Sequence, residues 1–307
     1  MRIAIIGAGG VGGYFGARLA LAGEDVHFVA RGAHLAALRE RGLTVRRDAG
    51  DLVARPVAAT DDPASIGAVD VVLVAVKLWD TEAAARAARP LVGADTAVVS
   101  LQNGVRRDET LREAIGAQHV MGGVSYISAF IESPGVIRQV GAMQKIVFGE
   151  YGGARSPRAL ALHAALEKAG IDAVLSDSIA RAIWEKFVFL ATLAGVTAAT
   201  RMPIGAIRAN PSTRALFRDA LAEVVAVARA EGVAIADDFV DGRMAFADGL
   251  PASMTASMAG DLEHGRRLEL EWLSGDVVAR GTRLRVPTPV HRALNDVLVL
   301  HAGGRAG

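Results

Sequence analysis

The first sixteen residues, MRIAIIGAGGVGGYFG, constrain the fold more than any other part of the chain. Residues 2–6 form a short apolar run rich in β-branched side chains, which predicts a buried parallel strand. Three glycines follow with G-x-G-x-x-G spacing: Gly7, Gly9 and Gly12. Apolar side chains then recur every four residues, as on one face of a helix: Val11, Phe15 and Leu19. The sequence therefore predicts a strand, a tight glycine turn and a helix.

This order of elements is typical of a loop that binds the phosphates of a dinucleotide. The first glycine permits the turn, the second lets a pyrophosphate approach the backbone, and the third lets the helix pack close to the strand. The helix amino terminus offers N–H groups and the positive end of its dipole to the phosphates. The alternative is a glycine-rich turn without a ligand, but the flanking strand and helix favour a binding site. The predicted cofactor residues here are Gly7, Ala8, Gly9, Gly10, Val11 and Gly12.

The end of the second predicted strand, residues 25–29, bears on the choice of cofactor. An acidic residue at this point binds the ribose 2′-hydroxyl of NAD, whereas an arginine suits the 2′-phosphate of NADP. Arg31 follows the strand, and no carboxylate lies between Val26 and Leu38. The sequence therefore predicts NADP(H), with the planar guanidinium of Arg31 on the phosphate. The alternative is that Arg31 is a solvated loop charge.

Two more polar residues follow buried strands. Residues 69–76 are apolar almost throughout and end at Lys77, and residues 97–101 end in Gln102-Asn103-Gly104. Because ligands in open α/β sheets bind beyond the carboxyl ends of the strands, Lys77 and Asn103 are candidate ligand contacts. The alternatives are a surface lysine and an ordinary Asn-Gly turn.

Strands and helices alternate to about residue 175, and strand signals then almost vanish. The other strands predicted in the first half are 43–47, 52–57, 120–128, 136–140, 145–148 and 171–175, and its other helices are 34–41, 81–89, 107–115 and 157–168. The helices predicted after residue 175 are 178–193, extending over 183–199, then 213–231, 252–261, 268–280 and 289–300. The predicted fold is α/β, with an N-terminal Rossmann-type dinucleotide-binding domain (1–175) followed by an all-helical C-terminal domain (176–307). We expect the ligand cleft between the two domains.

Composition excludes several classes of function. Of 307 residues, 51% are hydrophobic and 22% charged, which is typical of a globular protein. The absence of cysteine rules out disulfides, thiolate nucleophiles and cysteine-bound zinc, and we expect no metal site. A net charge of +1 gives no reason to expect nucleic acid or an anionic membrane as a partner. The uncharged run 187–200 is shorter than a bilayer span, so we expect a cytoplasmic protein.

The predicted helix 183–199 carries Lys186 at the edge of an apolar face. The side chains that share this face are Leu190, Leu193 and Ala194. A lysine that loses solvation at such an edge can deliver a proton to a carbonyl oxygen that receives a hydride. The alternatives are a lysine that extends its ammonium group into water, or one that pairs with Glu185.

Seven segments of the chain are shared with one known family. They are GAGGVG, ARGAHL, VAVKLWD, LQNGV, WEKF, SMAGDLEHG and LELEWLSG. Their order and spacing, from residue 1 to about residue 290, resemble the ketopantoate reductases (2-dehydropantoate 2-reductases). The resemblance implies that NADPH reduces the 2-oxo group of a small-molecule 2-oxo acid.

The resemblance also implies roles for individual residues. Lys186 resembles the general acid of the family, and Glu269 resembles the carboxylate that contacts the substrate and the catalytic lysine. Asn103 resembles the asparagine that positions the substrate beside the nicotinamide, and Ser257 resembles the serine that holds the substrate carboxylate. Arg31, Lys77 and Asn103 join the glycine loop as the cofactor set. If 268–280 is a helix, at most one of Glu269 and Glu271 points into the cleft.

The chain departs from the family pattern at two positions. Leu190 and Ala194 stand where the family usually carries two asparagines that hold polar groups of the substrate. Each lost hydrogen bond costs ~1–3 kcal/mol in a site built for a hydroxy acid. One alternative is therefore a reductase of a more apolar ketone or 2-oxo acid. Another is a non-catalytic NADP(H) sensor, which the presence of Lys186 and Glu269 disfavours. The helical half is a candidate face for a homodimer.

Overall fold

The computed structural model describes residues 1–305, so the last two residues of the predicted helical domain, 306 and 307, lie outside the described residues. The chain forms two compact units. The first comprises residues 1–103 and 107–182, and the second comprises residues 104–106 and the chain from Ile183 onward. The division falls inside a helix, Ile179–Thr200. The functional boundary at residue 175 stays a prediction.

The first unit is built on a ten-stranded mixed sheet. Its strands are β1 Arg2–Ile6, β2 Asp25–Val29, β3 Leu43–Arg46, β4 Leu52–Ala54, β5 Ala58–Thr60, β6 Val69–Val74, β7 Val92–Ser100, β8 Val120–Ser133, β9 Val136–Gly149 and β10 Asp172–Leu175. Their spatial order is β4-β3-β9-β8-β7-β6-β1-β2-β5, with β10 beside β9. The pairs β6–β1, β1–β2, β2–β5 and β7–β6 are parallel, and β8 and β9 pair antiparallel. This arrangement confirms the predicted α/β class.

The central strand of the sheet, β1, is buried on both faces, because elements pack against each face of the sheet. The helices of this part of the chain are α1 Gly10–Leu21, α2 Gly32–Arg41, α3 Thr81–Ala88, α4 Arg106–Ile115 and α5 Pro157–Lys168. Ile3 and Ile5 of β1 belong to one apolar cluster, together with Phe15 of α1. Ala4 and Ile6 belong to a second cluster. A strand that contributes to two cores must be apolar at every position, as the sequence pattern indicates.

The strands predicted at 136–140 and 145–148 are one strand, β9. Its ladder with β8 pairs Ser128 with Val140 and Ile127 with Gln144, so residues 141–143 have no partner opposite them. Such a bulge leaves the strand continuous while its alternation of side chains breaks. The prediction of two strands was wrong because the sequence shows the break and not the ladder that spans it.

The described part of the chain after β10 contains helices and no strand, as predicted. These helices are α6 Ile179–Thr200, α7 Ile204–Ala209, α8 Pro211–Ala230, α9 Phe239–Gly249, α10 Ser257–Glu263, α11 Ser274–Leu284 and α12 Pro289–Leu298. Helix α6 has a mean hydropathy of 1.4 over its most apolar window, which by length and composition would suffice to cross a membrane. In the structure 67% of that window is buried, as in the core helix of a globular domain.

Two predicted helices of this region were too long. The segment 252–261 becomes helical at Ser257, since Ala256 is extended and its N–H donates to Thr197 Oγ1 at 3.4 Å. The segment 268–280 is interrupted at Leu273, which has φ −109° and ψ −101°. A single 3₁₀ turn, Leu270–Trp272, precedes this break. Three elements without a clear apolar period were not predicted: β5, α7 and α9.

Candidate active site

The glycine loop has the backbone that its spacing predicts. Gly7 has φ +97°, which favours glycine, and its N–H donates to Val29 O at 3.2 Å. A Cβ on Gly12 would lie 2.1 Å from Gly7 O, so this glycine allows α1 to approach β1 closely. A Cβ on Gly10 would lie 2.1 Å from Ala129 O in β8. These three glycines are required by the turn and by packing.

Gly9 has no such structural reason to be glycine. Its φ is −73°, and a Cβ placed on it would have no heavy atom within 4 Å among the described residues beyond Gly9 and its two chain neighbours. It caps α1 without a side-chain hydrogen bond, and the first turn of α1 has no acidic residue. The first N–H groups of α1 therefore have no acidic or capping side chain beside them, and they face open space. Such a helix N-terminus fits a phosphate group. The neighbouring predicted contacts, Ala8 and Val11, are buried and half-buried.

Three other predicted residues follow β2, β6 and β7 at the carboxyl edge of the sheet. Arg31 is the exposed N-cap residue of α2, and within residues 1–305 its guanidinium has no hydrogen-bond or ion-pair partner. Lys77 is exposed, and its Nζ lies 5.6 Å from the ring centre of Trp79. Asn103 is half-buried before Gly104, which has φ +77°. Because β7, β6, β1 and β2 are adjacent, the sheet brings these residues to the same edge as the glycine loop.

Gln102 holds two of these loops together, and the sequence analysis missed it. The side chain is 5% exposed, and its Oε1 accepts from Ser100 Oγ at 3.0 Å. Its Nε2 donates to Thr81 Oγ1 at 2.9 Å and to Lys77 O at 3.4 Å. The loop that bears Lys77 is thereby tied to the residue before Asn103. The available signal was a glutamine directly after a buried strand, where its amide has to find partners.

The segment after Asn103 is anchored by a buried ion pair. Arg107 and Asp108 are 3% and 2% exposed, and Arg107 Nη2 donates to the carbonyl of Gly123. Asp108 also accepts from Tyr151 Oη at 2.6 Å. Burial raises the pKa of the Asp108 carboxyl, against the opposing effect of Arg107. The start of α4 is therefore fixed in the core of the first unit, and with it the end of the Asn103 turn.

His34 is a second residue that the sequence analysis missed. Its Nε2 lies 2.8 Å from Ala8 O in the glycine loop, and its Nδ1 accepts from the N–H of Gly135 at 3.1 Å. Burial lowers the pKa of the ring, so His34 is neutral at neutral pH. The motif ARGAHL contains it, but no pattern in the sequence reveals contacts to two distant backbone groups.

In the second unit, α6 carries Lys186 between two aromatic anchors. Trp184 and Phe187 are 7% and 1% exposed, and their rings meet edge to face with centroids 5.6 Å apart. The guanidinium of Arg280 lies 5.7 Å from the Trp184 ring and is held by Asp276 at 3.0 Å. Lys186 is half-buried, as expected for a lysine at the edge of an apolar face. The part of α6 that carries Lys186 is therefore held in place by buried aromatic side chains on both sides of the lysine.

The other two candidates of the second unit lie at the starts of short helical segments. Ser257 is the exposed first residue of α10. Glu269 is 7% exposed, and it lies before the 3₁₀ turn rather than on a helix. Glu271 is exposed and accepts from Arg106 at 2.7 Å. Glu269 is thus buried and Glu271 is exposed. The prediction that both lie on a helix was wrong, and whether Glu269 faces the cleft stays a prediction.

Lys186, Ser257 and Glu269 belong to the second unit, and the glycine loop, Arg31, Lys77 and Asn103 belong to the first. The cleft between the two sets stays a prediction. Among residues 1–305 no group of three His, Asp or Glu side chains is placed to hold a metal ion.

A mixed sheet whose parallel strands surround this glycine turn, followed by a helical domain, is typical of the class of dinucleotide-dependent oxidoreductases. Family models agree with the class and refine it. The model described as ketopantoate reductase PanE/ApbA matches residues 3–153, and the model of its C-terminal domain matches residues 178–301. The chain belongs to the ketopantoate reductase family, whose members are dinucleotide-dependent reductases.

Individual relatives match over nearly the whole chain. The 2-dehydropantoate 2-reductase of Mesorhizobium japonicum is 35% identical, covering 94% of each chain. The uncharacterized oxidoreductase YkpB of Bacillus subtilis is 30% identical, covering 94% of this chain and 95% of the relative. The crystal structure of 2-dehydropantoate 2-reductase from Geobacter metallireducens is 35% identical, with a TM-score of 0.90, covering 98% of this chain and 99% of that one.

Proposed function

We propose that this protein uses NADPH to reduce the 2-oxo group of ketopantoate (2-dehydropantoate) to pantoate, or that of a closely related 2-oxo acid. The observation that carries the proposal is the presence of Lys186 and Glu269 at the family's acid and carboxylate positions, in a chain that matches both family domains. The proposed location is the cytoplasm, with residues 1–175 binding the cofactor and residues 176–307 supplying the proton donor. Assembly as a homodimer stays a prediction.

The residues of the first unit fit a dinucleotide. The open space at Gly9 and the first N–H groups of α1 would receive the pyrophosphate. Arg31, exposed at the end of β2 with no carboxylate beside it in the sequence, would bind the 2′-phosphate of NADPH. Lys77 and Asn103 would contact the cofactor at the ends of β6 and β7. When bound, the reduced nicotinamide supplies the hydride for the reaction.

The residues of the second unit would supply the proton and hold the substrate. Lys186 would donate a proton to the substrate oxygen as its carbon becomes reduced. Glu269 would orient the ammonium group of Lys186 and contact the substrate. Asn103, from the first unit, would position the carbonyl group, and the hydroxyl group of Ser257 would donate a hydrogen bond to the substrate carboxylate. These roles are those of the matching residues in the family that the chain resembles.

The substitution Lys186→Ala tests the proposed acid. We expect it to lower kcat by about 10²–10⁴-fold, the usual contribution of a positioned acid, and to leave the Kd for NADPH nearly unchanged. A matched control is Lys168→Ala, which removes a lysine that pairs with Glu24 at 2.9 Å on the surface of the first unit. Equal turnover by the Lys186→Ala and wild-type proteins would eliminate Lys186 as the acid.

A second candidate is a reductase of a more apolar 2-oxo acid or ketone, which Leu190 and Ala194 favour. Leu190 is half-buried and Ala194 is 1% exposed, so neither position offers the amide that the family usually has. If this candidate is correct, wild-type protein will prefer branched or aromatic 2-oxo acids to ketopantoate. The change Leu190→Asn should then shift the ratio of kcat/KM toward ketopantoate by about tenfold, one hydrogen bond's worth. Leu190→Ala is the control that removes bulk without adding an amide.

A further inference from the structure

We infer that His34 is a positioning residue for the cofactor, which fixes the shape of the phosphate-binding loop by joining it to α2 and to the turn between β8 and β9. The inference rests on the proposed use of a dinucleotide. It adds a residue outside the glycine motif, and one that would not itself touch the phosphates.

The contacts of the ring determine which nitrogen carries the proton. The N–H of Gly135 donates to Nδ1 at 3.1 Å, so Nδ1 has no hydrogen of its own. The carbonyl of Ala8 is an acceptor, so Nε2–H donates to it at 2.8 Å. The neutral ring with its proton on Nε2 satisfies both contacts. One side chain therefore pairs two backbone groups that are far apart in the sequence.

These contacts join the two predicted phosphate subsites. Ala8 lies between Gly7 and Gly9, and its residue is 3% exposed, so its carbonyl has few alternatives to the ring. His34 is the third residue of α2, in its first turn, and lies three residues after the N-cap residue Arg31. The ring thus links the pyrophosphate loop to the segment that would hold the 2′-phosphate.

The third element at this junction is the β8–β9 hairpin. Gly135 has φ +81° in the turn between these strands, and a Cβ on it would lie 3.0 Å from Ala37 of α2. The backbone of β8 also lies against the glycine loop, where Gly10 meets Ala129. The bond from His34 to Ala8 O is one of the contacts that hold the glycine loop against these elements. Without this bond, the backbone N–H groups of the loop should be free to turn away from the direction that a pyrophosphate needs.

Two conservative substitutions separate the two bonds. The amide nitrogen of glutamine falls near the place of Nε2, so His34→Gln keeps a donor for Ala8 O. The amide of asparagine falls near the place of Nδ1, so His34→Asn keeps the partner of Gly135 and removes the donor to Ala8. The control is His163→Asn on α5, since His163 Nε2 lies 3.2 Å from Ala173 O, away from the glycine loop.

The experiment measures NADPH affinity by fluorescence titration and KM against kcat for the three variants. We expect His34→Asn to raise Kd and KM for NADPH by about tenfold, with kcat changed less than about twofold. We expect His34→Gln to stay within about threefold of wild type, and His163→Asn to match wild type. Rescue by glutamine is the result that a merely structural role for the ring would not produce.

A second readout needs no cofactor. Amide hydrogen exchange of residues 7–12 in the cofactor-free protein should be faster in His34→Asn than in wild type or His34→Gln. If His34→Asn fails to fold, the His34→Gln variant still tests the inference. A loss of NADPH affinity in His34→Gln as large as that in Arg31→Ala would overturn it. Wild-type affinity and exchange in His34→Asn would also overturn it. Failure of wild-type protein to bind NADPH or NADH would instead overturn the proposed function, and this inference with it.

Discussion

At the scale of single residues, Arg31 is the side chain on which the proposed cofactor choice depends. It is exposed at the carboxyl end of β2, and within residues 1–305 its guanidinium has no partner that would have to be displaced. An arginine binds a phosphate through two parallel charge-assisted hydrogen bonds, which a ribose hydroxyl cannot match. Its contribution should therefore appear with NADPH and vanish with NADH.

The substitution Arg31→Ala tests this expectation. Hydrogen bonds to charged groups are worth ~1.5–3 kcal/mol, so we expect the Kd for NADPH to rise by roughly 10–100-fold. The Kd for NADH should change by less than about twofold, since NADH has no 2′-phosphate. Isothermal titration with each cofactor measures both values.

The matched control is Arg41→Ala, which removes an exposed arginine at the other end of α2, one that pairs with Glu40 at 3.0 Å. It should leave both affinities unchanged. Equal weakening of NADPH and NADH by Arg31→Ala would contradict the proposed phosphate contact.

Candidate site residues could be predicted where a polar residue follows a buried strand of the sheet. Arg31, Lys77 and Asn103 were predicted in this way, and their roles stay predictions. Gln102 offered only its place after a buried strand as a signal, and His34 offered none, because most of their partners are groups on other elements. Those contacts exist only after the sheet has brought its loops to one edge, and no spacing in the sequence encodes them.

At the scale of elements, the junction between β1 and α1 combines two kinds of glycine. Gly12 is packed against the carbonyl of Gly7, where a Cβ would come within 2.1 Å of the oxygen. Gly9 faces open space and has a backbone conformation that any residue adopts. The structure therefore separates a glycine needed for folding from a glycine that the proposed ligand needs.

Two alanine substitutions should have opposite consequences. Gly12→Ala should destabilise the fold by ~1–3 kcal/mol, because backbone atoms have to move to accept the methyl group. Gly9→Ala should change the free energy of unfolding by less than about 0.5 kcal/mol. It should nevertheless raise the Kd for NADPH by about tenfold or more, since the methyl group occupies the approach to the backbone. Thermal unfolding and cofactor titration of both variants measure these effects.

Each variant is the control for the other. Wild-type NADPH affinity in a folded Gly9→Ala protein would contradict the assignment of the open space to the pyrophosphate. A large loss of stability in Gly9→Ala would show that this glycine, too, is required by packing.

Elements with a strong local pattern were predicted almost residue by residue. The bounds of β1, β2 and α5 coincide with the predicted ones because apolar runs, a proline at the first turn and flanking glycines mark them. The bulge of β9 and the break at Leu273 depend on partners that lie far away in the sequence. For the same reason the prediction that Glu269 lies on a helix was wrong.

At the scale of the whole molecule, the second unit is held together by a buried histidine and a buried carboxylate. His291 is 0% exposed on α12, and its Nε2–H donates to Ala220 O of α8 at 3.2 Å. Its Nδ1 contacts Ser274 Oγ of α11 at 3.3 Å. Glu223 of α8 accepts from the N–H groups of Val290 and His291 at the start of α12. Three helices thus meet at one polar junction inside an apolar core.

The junction makes stability depend on pH. Burial lowers the pKa of His291 from 6.5 to about 4, so between these values the unfolded chain binds a proton that the folded one does not. The contribution of His291 to the unfolding free energy should therefore be highest above about pH 6.5 and fall by roughly 3 kcal/mol as the pH drops toward 4. Burial raises the pKa of Glu223, which acts in the opposite direction.

The comparison with His291→Gln isolates the histidine, because Glu223 titrates in both proteins. Urea unfolding in a Trp79→Phe background leaves Trp184 and Trp272, both in the second unit, as the fluorescent reporters. The glutamine variant should be less stable at pH 7, and the difference from wild type should shrink as the pH falls. Parallel curves for the two proteins between pH 7 and pH 4 would contradict the assigned role of His291.

The proposed reduction of a 2-oxo acid by NADPH can be measured by following nicotinamide absorbance with a panel of carbonyl compounds. The panel contains ketopantoate, branched and aromatic 2-oxo acids and simple ketones, each offered with NADPH or with NADH. We expect one 2-oxo acid of the panel to oxidise NADPH, with one 2-hydroxy acid formed for each NADPH consumed, and to do so faster than it oxidises NADH. The Lys186→Ala protein should be slower by about 10²–10⁴-fold. Tight binding of NADPH without its oxidation by any compound of the panel would contradict the proposed function.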